Sequence, residues 1–108
     1  MFHLNLEPMK IHTESVQFKA DQKLLDFIDK KLNKLDTFFD RIIEVNVILR
    51  LENAGQVRDK VAEVKVHVPG ETLFAKEIHK TFEGAVEGAT DTLKRQLQKY
   101  KEKHFEVK

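Results

Sequence analysis

Five histidines, at positions 3, 12, 67, 79 and 104, are the side chains of this sequence best suited to hold a metal or move a proton. Their spacing argues against both. No two stand four residues apart, and no His-Glu-x-x-His run sets two imidazoles on one helix turn beside a general base. There is no cysteine, which removes disulfides, thiolate metal sites and thiol nucleophiles together. Acidic residues are plentiful, yet nothing marks two of them as a catalytic pair, and no hydroxyl comes with an evident base. Gly84 and Gly88 follow no strand at the spacing of a phosphate-binding loop. The reading is therefore no catalytic residue, no metal, no cofactor and no small-molecule substrate. What the sequence does offer is electrostatics. The stretch KRQLQKYKEK, Lys94 to Lys103, lies in a chain whose 19 Lys+Arg and 18 Asp+Glu nearly cancel. From residue 94 onward six basic residues face two acidic ones, whereas the first 93 residues hold 13 basic and 16 acidic. Such asymmetry points to an anionic partner, with nucleic acid first in line.

Elements must hold those cations in place, and the hydrophobic pattern supplies them. Lys10–Val16 alternates weakly as a short strand, with Ile11, Thr13 and Ser15 on one side. Asp21 can cap a helix over about Gln22–Phe39, whose apolar residues at 24, 25, 27, 28, 32, 35, 38 and 39 have helical spacing. Ile43–Glu52 alternates cleanly, with Ile43, Val45, Val47, Leu49 and Leu51 on one face. Asn53–Arg58 reads as a hairpin loop, and Asp59–Val68 alternates again. Pro69-Gly70 is a tight turn into a third strand, Thr72–His79. Thr81 can cap a last helix running to about Lys103, with Phe82, Val86, Ala89, Leu93, Leu97 and Tyr100 along one line. The fold class is α+β, in the order β-α-β-β-β-α. It makes a four-stranded sheet with two helices packed side by side on one face, because each helix has a single apolar stripe.

The 108 residues make one domain. Residues 1–8 read as an extension with neither the basic nor the apolar region of a secretory signal, 9–104 as the domain and 105–108 as a tail. No apolar run approaches the roughly 18 residues a membrane span needs, and a cytoplasmic setting with no membrane partner is expected.

On the first helix Lys23, Lys30 and Lys34 fall on one flank of the apolar stripe, and Asp29, Asp36 and Asp40 on the other. Asp26 and Lys30, four apart, form an ordinary stabilising pair, and most charged helix faces are only solvated faces. Lys31 falls inside the apolar arc, where its stem can pack while its ammonium reaches water. On the last helix the acids Glu83, Glu87 and Asp91 precede the bases Lys94, Arg95, Lys99, Lys101 and Lys103, an order that suits the helix dipole. The dipole fades within the terminal turn, so it leaves Lys94 and Arg95 unexplained. Side by side, the two helices would present a shared cationic ridge suited to phosphate oxygens. Aromatics for base stacking are scarce. Tyr100 is the only tyrosine, tryptophan is absent and the phenylalanines look like core, which favours backbone and shape recognition of a folded RNA. Glu44, Glu52 and Glu63 make the other sheet face a poor platform for RNA. His67 on that face reads as an ordinary surface histidine.

The stretches KLNKLDTFFDRIIEVNVILRLE (31–52) and GATDTLKRQLQKYKEK (88–103) resemble the ribosome hibernation promoting factor family, also called ribosome-associated translation inhibitors. The resemblance covers about Met9 to Lys103 and implies the same β-α-β-β-β-α fold. It further implies binding to the small ribosomal subunit, on 16S-type rRNA in the channel between head and body. There such proteins overlap the mRNA and tRNA sites and inhibit translation under stress or in stationary phase. Carried over by position, the RNA contacts are Lys31 and Lys34 in the first helix and Arg95, Gln96, Lys99, Lys101 and Lys103 in the last. Lys94 joins them on charge alone. Many relatives open the last helix with Asp-x-Tyr-x-Ala-Ile-Asp, where this chain has Thr81, Glu83, Ala85, Val86 and Glu87, so the Asp and Tyr are lost. The resemblance is to a short form without a C-terminal dimerisation domain. Two other readings stay open: a generic double-stranded-RNA binder, and a protein-binding module using the sheet face.

Overall fold

The computed structural model describes residues 9–54 and 57–104, of which 53, 54, 57 and 58 by backbone alone. Strand β1 (Lys10–Val16) leads into helix α1 (Gln22–Asn33) and a 3-10 turn (Lys34–Thr37). Strands β2 (Glu44–Ala54), β3 (Val57–Val68) and β4 (Glu71–His79) follow, then helix α2 (Phe82–His104). The sheet order is β1-β2-β3-β4. β2, β3 and β4 form the antiparallel meander that short turns allow. β1 instead runs parallel to β2, with Ile11 opposite Val45. A parallel neighbour needs a crossover, and α1 supplies it.

Local chemistry marks where elements begin. The Asp21 carboxylate accepts the Leu24 N–H at 2.9 Å, and the Thr81 hydroxyl accepts the Gly84 N–H at 2.9 Å, each satisfying a first-turn donor. Gly70 has φ +87° directly after Pro69, the residue order of a type II turn, and Val68 pairs with Glu71 across it. Gly88 lets α2 settle onto β4, since a Cβ there would lie 2.9 Å from Glu77 Oε1.

One core lies between helices and sheet. Val45, Val47 and Leu49 of β2 and Val64 and Val66 of β3 meet Ile28 and Leu32 of α1 and Val86, Leu93 and Leu97 of α2. Burying each such side chain stabilises the fold by about 1.5–3 kcal/mol relative to exposure. Tyr100 belongs here too. Its ring meets Phe39 edge-on at 5.3 Å, and its hydroxyl donates to the Pro69 carbonyl, fastening α2 to the β3–β4 turn.

Four local expectations need correction. First, α1 stops at Asn33 rather than Phe39. The Asn33 amide donates to the Asp29 carbonyl (2.8 Å) and the Thr37 hydroxyl to the Lys34 carbonyl (2.7 Å). The N–H groups of Phe38 and Phe39 both point at the Leu35 carbonyl. Side chains and a tightened turn thus satisfy carbonyls that a continuing helix would have used. Leu35 and Phe39 stay buried, while Phe38 turns outward to 37% exposure. Second, Ile43 precedes β2 and is 59% exposed, whereas Val61, on the face expected to meet solvent, is fully buried between Arg50 and Ile78 in register. Third, Asp26 accepts a 2.9 Å hydrogen bond from the Gln22 amide in place of an ion pair with Lys30. Fourth, the strands extend into the expected 53–58 loop, β2 to Ala54 and β3 from Val57. The remainder of that loop (55–56), the extension (1–8) and the tail (105–108) lie outside the described residues.

Candidate nucleic-acid interface

Two contacts fix how the helices lie. Lys31 of α1 meets Glu87 of α2, and Phe38 just beyond α1 meets Lys94 one helical stretch further on, so the two helices run in the same direction. Their basic ends are therefore at the same end of the domain. Phe27 and Lys31 lie toward α2, and the helical period puts Lys23, Lys30 and Lys34 on that flank, exposed above them.

The cations of α2 divide around its circumference. Lys94 and Lys101 face α1, and Lys94 Nζ stands 5.3 Å from the centroid of the Phe38 ring. Lys101 lines a concavity of about 310 Å³ with Asp36, Phe38 and Asp40. Lys99 and Lys103 lie on the opposite side, where they and Gln96 border Leu73 and Glu71 of β4. Arg95 stands between the two sets, its guanidinium 3.3 Å from the Thr92 hydroxyl. The Gln96 amide donates to the Phe74 carbonyl at 2.9 Å, so it already holds the last helix to β4.

The shared ridge expected from the sequence is not continuous. Glu87 Oε2 accepts Lys31 Nζ at 3.0 Å, and Asp91 Oδ1 lies 4.0 Å from Lys94 Nζ, so acids occupy the line between the helices in the first half of α2. The cause is the dipole-matched order of charges along α2, which sets its acids beside α1. Beyond Asp91 the surface changes. Among the described residues Lys23, Lys30, Lys34, Arg95, Lys99, Lys101 and Lys103 make no ion pair. The cationic surface is best described as a cap formed by Lys34 and the second half of α2, with Lys30 and Lys31 one step behind it and Lys23, in the first turn of α1, at the opposite end of the helical layer.

Two features of the site escape sequence reasoning. Glu87 is 56 positions from Lys31, and no local pattern joins them. Phe38, which its helical spacing assigns to the core, stands exposed among Lys94, Lys101 and two carboxylates. No local pattern marks it, because its outward turn follows from the change from α to 3-10 at Lys34.

The other face of the sheet is built differently. Arg50 and Glu63 pair across β2 and β3. Asn46 Nδ2 lies 2.9 Å from His67 Nε2, and His67 Nδ1 lies 3.1 Å from the Thr72 hydroxyl, so His67 is a member of a polar network. Among the described residues no three His, Asp or Glu side chains gather as a metal site. No described helix is long and apolar enough to cross a membrane.

The family described as Sigma 54 modulation protein / S30EA ribosomal protein matches residues 11–104. A ribosome hibernation promoting factor from Klebsiella oxytoca is 37% identical over 95 residues, covering 88% of this chain and 96% of the relative. Another from Azotobacter vinelandii is 33% identical over 98 residues, covering 91% and 88%. A solved structure described as a ribosomal subunit interface protein from Coxiella burnetii superposes with a TM-score of 0.76, over 86% of this chain and 98% of that one. Its 24% identity makes it a likeness of fold.

Proposed function

Because this chain belongs to the Sigma 54 modulation protein / S30EA ribosomal protein family, we propose that it is a ribosome hibernation factor acting on the small ribosomal subunit. It docks the basic end of both helices on rRNA in the channel between head and body. There it keeps mRNA and tRNA from the decoding region in stressed or stationary cells. It acts in the cytoplasm by occupancy, without a catalytic step.

One observation carries this reading: seven cations on the helical layer have no ionic partner among the described residues. Four of them, Arg95, Lys99, Lys101 and Lys103, crowd the last turns of α2; like charges this close repel one another, and a polyanion relieves that cost. Each phosphate neutralised also releases condensed counterions, so affinity falls steeply with salt. Lys31 joins them on binding. Its pair with Glu87 is solvent-facing, with side chains 28% and 56% exposed, and such pairs contribute about 0.2–1 kcal/mol. A phosphate can displace the carboxylate at little cost. Tyr100 is a core residue and takes no part.

The test is sedimentation of purified small subunits with the wild type and with a variant carrying Arg95→Glu, Lys99→Glu and Lys101→Glu. The wild type is expected in the subunit fraction and to resist excess duplex RNA as competitor. The triple variant is expected to remain folded and to stay at the top of the gradient. Sedimentation of the triple variant like the wild type would overturn the assignment. Displacement of the wild type by duplex RNA would reduce it to a general RNA-binding domain.

A further inference from the structure

We propose that the concavity closed by Phe38, at the basic end between the two helices, receives a single unstacked nucleobase of the bound RNA. The proposal rests on the rRNA-binding reading above and assigns a part of that surface that phosphate contacts leave unexplained.

The 3-10 turn makes the site. By ending α1 at Asn33 it keeps Phe39 in the core, edge-on to Tyr100, and sends the next-door Phe38 ring outward. A ring 37% exposed forgoes part of the burial its apolar surface favours. It is held, moreover, in a rigid frame. The backbone N–H groups of Phe38 and Phe39 are both bonded to the Leu35 carbonyl, and the Thr37 hydroxyl is bonded to the Lys34 carbonyl. Lys94 sits over the ring at 5.3 Å, a cation–π distance.

The surroundings supply what a base needs. A nucleobase brings a flat face, which stacks on an aromatic ring, and a polar edge, which asks for hydrogen-bond partners. Phe38 offers the face. Asp36 and Asp40 line the same concavity of about 310 Å³ and bond to no other described side chain, so their oxygens are available as acceptors. Carboxylates repel phosphate but accept from the exocyclic amines of cytosine, adenine and guanine. Lys101 completes the lining as a donor and a phosphate anchor. Two carboxylates inside an otherwise cationic cap make little sense for backbone binding alone. They make sense where an amine-bearing base must be drawn in and its phosphate held outside. Uracil, lacking that amine, is disfavoured.

The experiment uses small ribosomal subunits saturated with protein. Dimethyl sulfate probes the base-pairing edges of adenine and cytosine, and kethoxal that of guanine. Wild type is expected to protect at least one unpaired A, C or G that Phe38→Leu, bound at saturation, leaves reactive, and the variant should bind about tenfold more weakly. Asp36→Ala with Asp40→Ala, which removes the acceptor oxygens, should lose the same protection with Phe38 intact. Because Phe38 is outside the core, the leucine variant should melt like the wild type, so lost protection cannot be laid to misfolding. If the Phe38→Leu footprint matches the wild type base for base, the nucleobase site does not exist. If the wild type fails to bind subunits at all, the failure belongs to the rRNA-binding reading itself.

Discussion

The two broad faces of this domain treat their charged residues in opposite ways. On the open sheet face, cross-strand geometry brings opposite charges together. Arg50 meets Glu63, Glu63 lies opposite Lys76 in register, and His67 is tied to Asn46 and Thr72. That face mixes both signs of charge, although among the described residues Glu44, Glu52 and Lys65 make no ion pair there. On the helical layer the acids lie in the first half of α2 and the cations in the second, so Arg95, Lys99, Lys101 and Lys103 find no partner among the described residues. A face that mixes its charges has little to gain from a polyanion, and a face that gathers unpaired cations has much. The location of a charge therefore says less about binding than whether the fold gives it a partner.

The contrast breaks most sharply if the unpaired cations are reversed. Arg95→Glu, Lys99→Glu and Lys101→Glu together are expected to lower affinity for small subunits by more than about 100-fold. The slope of log K against log salt should fall by roughly two to three, one phosphate contact for each cation removed. The melting temperature should hold, since none of the three side chains enters the core. Titration at several salt concentrations reads both effects. A variant that loses affinity with an unchanged salt slope would mean that these cations act by shape and not by charge.

Much of this arrangement was legible in the sequence, for a physical reason. Caps, turns and alternation are local, so Asp21, Thr81 and Pro69-Gly70 announced the elements they bound, and the single apolar stripe on each helix placed both on one face. What was not legible depends on distance or on phase. The pairing of β1 beside β2 is a tertiary choice. The Lys31–Glu87 contact joins residues that no periodicity relates. The shift from α to 3-10 at Lys34 rotates everything after it. Asp36 and Asp40 accordingly leave the flank that Asp29 occupies and come round to face Lys101. An even 100° count cannot see such a change of phase.

A smaller effect tests the boundary between paired and unpaired cations. Glu87→Gln keeps the shape and removes the charge that occupies Lys31. If the pair holds Lys31 back from phosphate, its loss should tighten binding about two- to fivefold at low salt, the range that an exposed ion pair allows. The gain should shrink as salt rises, because salt weakens the same pair in the wild type. Lys31→Gln should lose affinity and, combined with Glu87→Gln, should cancel the gain. Weaker binding by Glu87→Gln alone would instead make Glu87 a positioning residue that aims Lys31 at its target.

The smallest expected effect on binding is the most informative about the comparison. Arg50 and Arg95 are both arginines on a strand or helix of one small domain, yet among the described residues only Arg50 of the two has a carboxylate partner. Arg50→Met leaves Glu63 half-buried without its cation, and its loss should cost about 1 kcal/mol of stability. For a domain of this size that lowers the melting temperature by about 4–8 °C. Subunit affinity should change by less than twofold, because the open face makes no phosphate contact in the proposed orientation. Arg95→Met should do the reverse, leaving the melt alone and weakening binding severalfold. The two melts and two titrations form a crossed pair, and each arginine controls for the other. Should Arg50→Met weaken binding as much as Arg95→Met, the sheet face also touches the ribosome. Internal pairing would then no longer distinguish the charges that serve the fold from those that serve the partner.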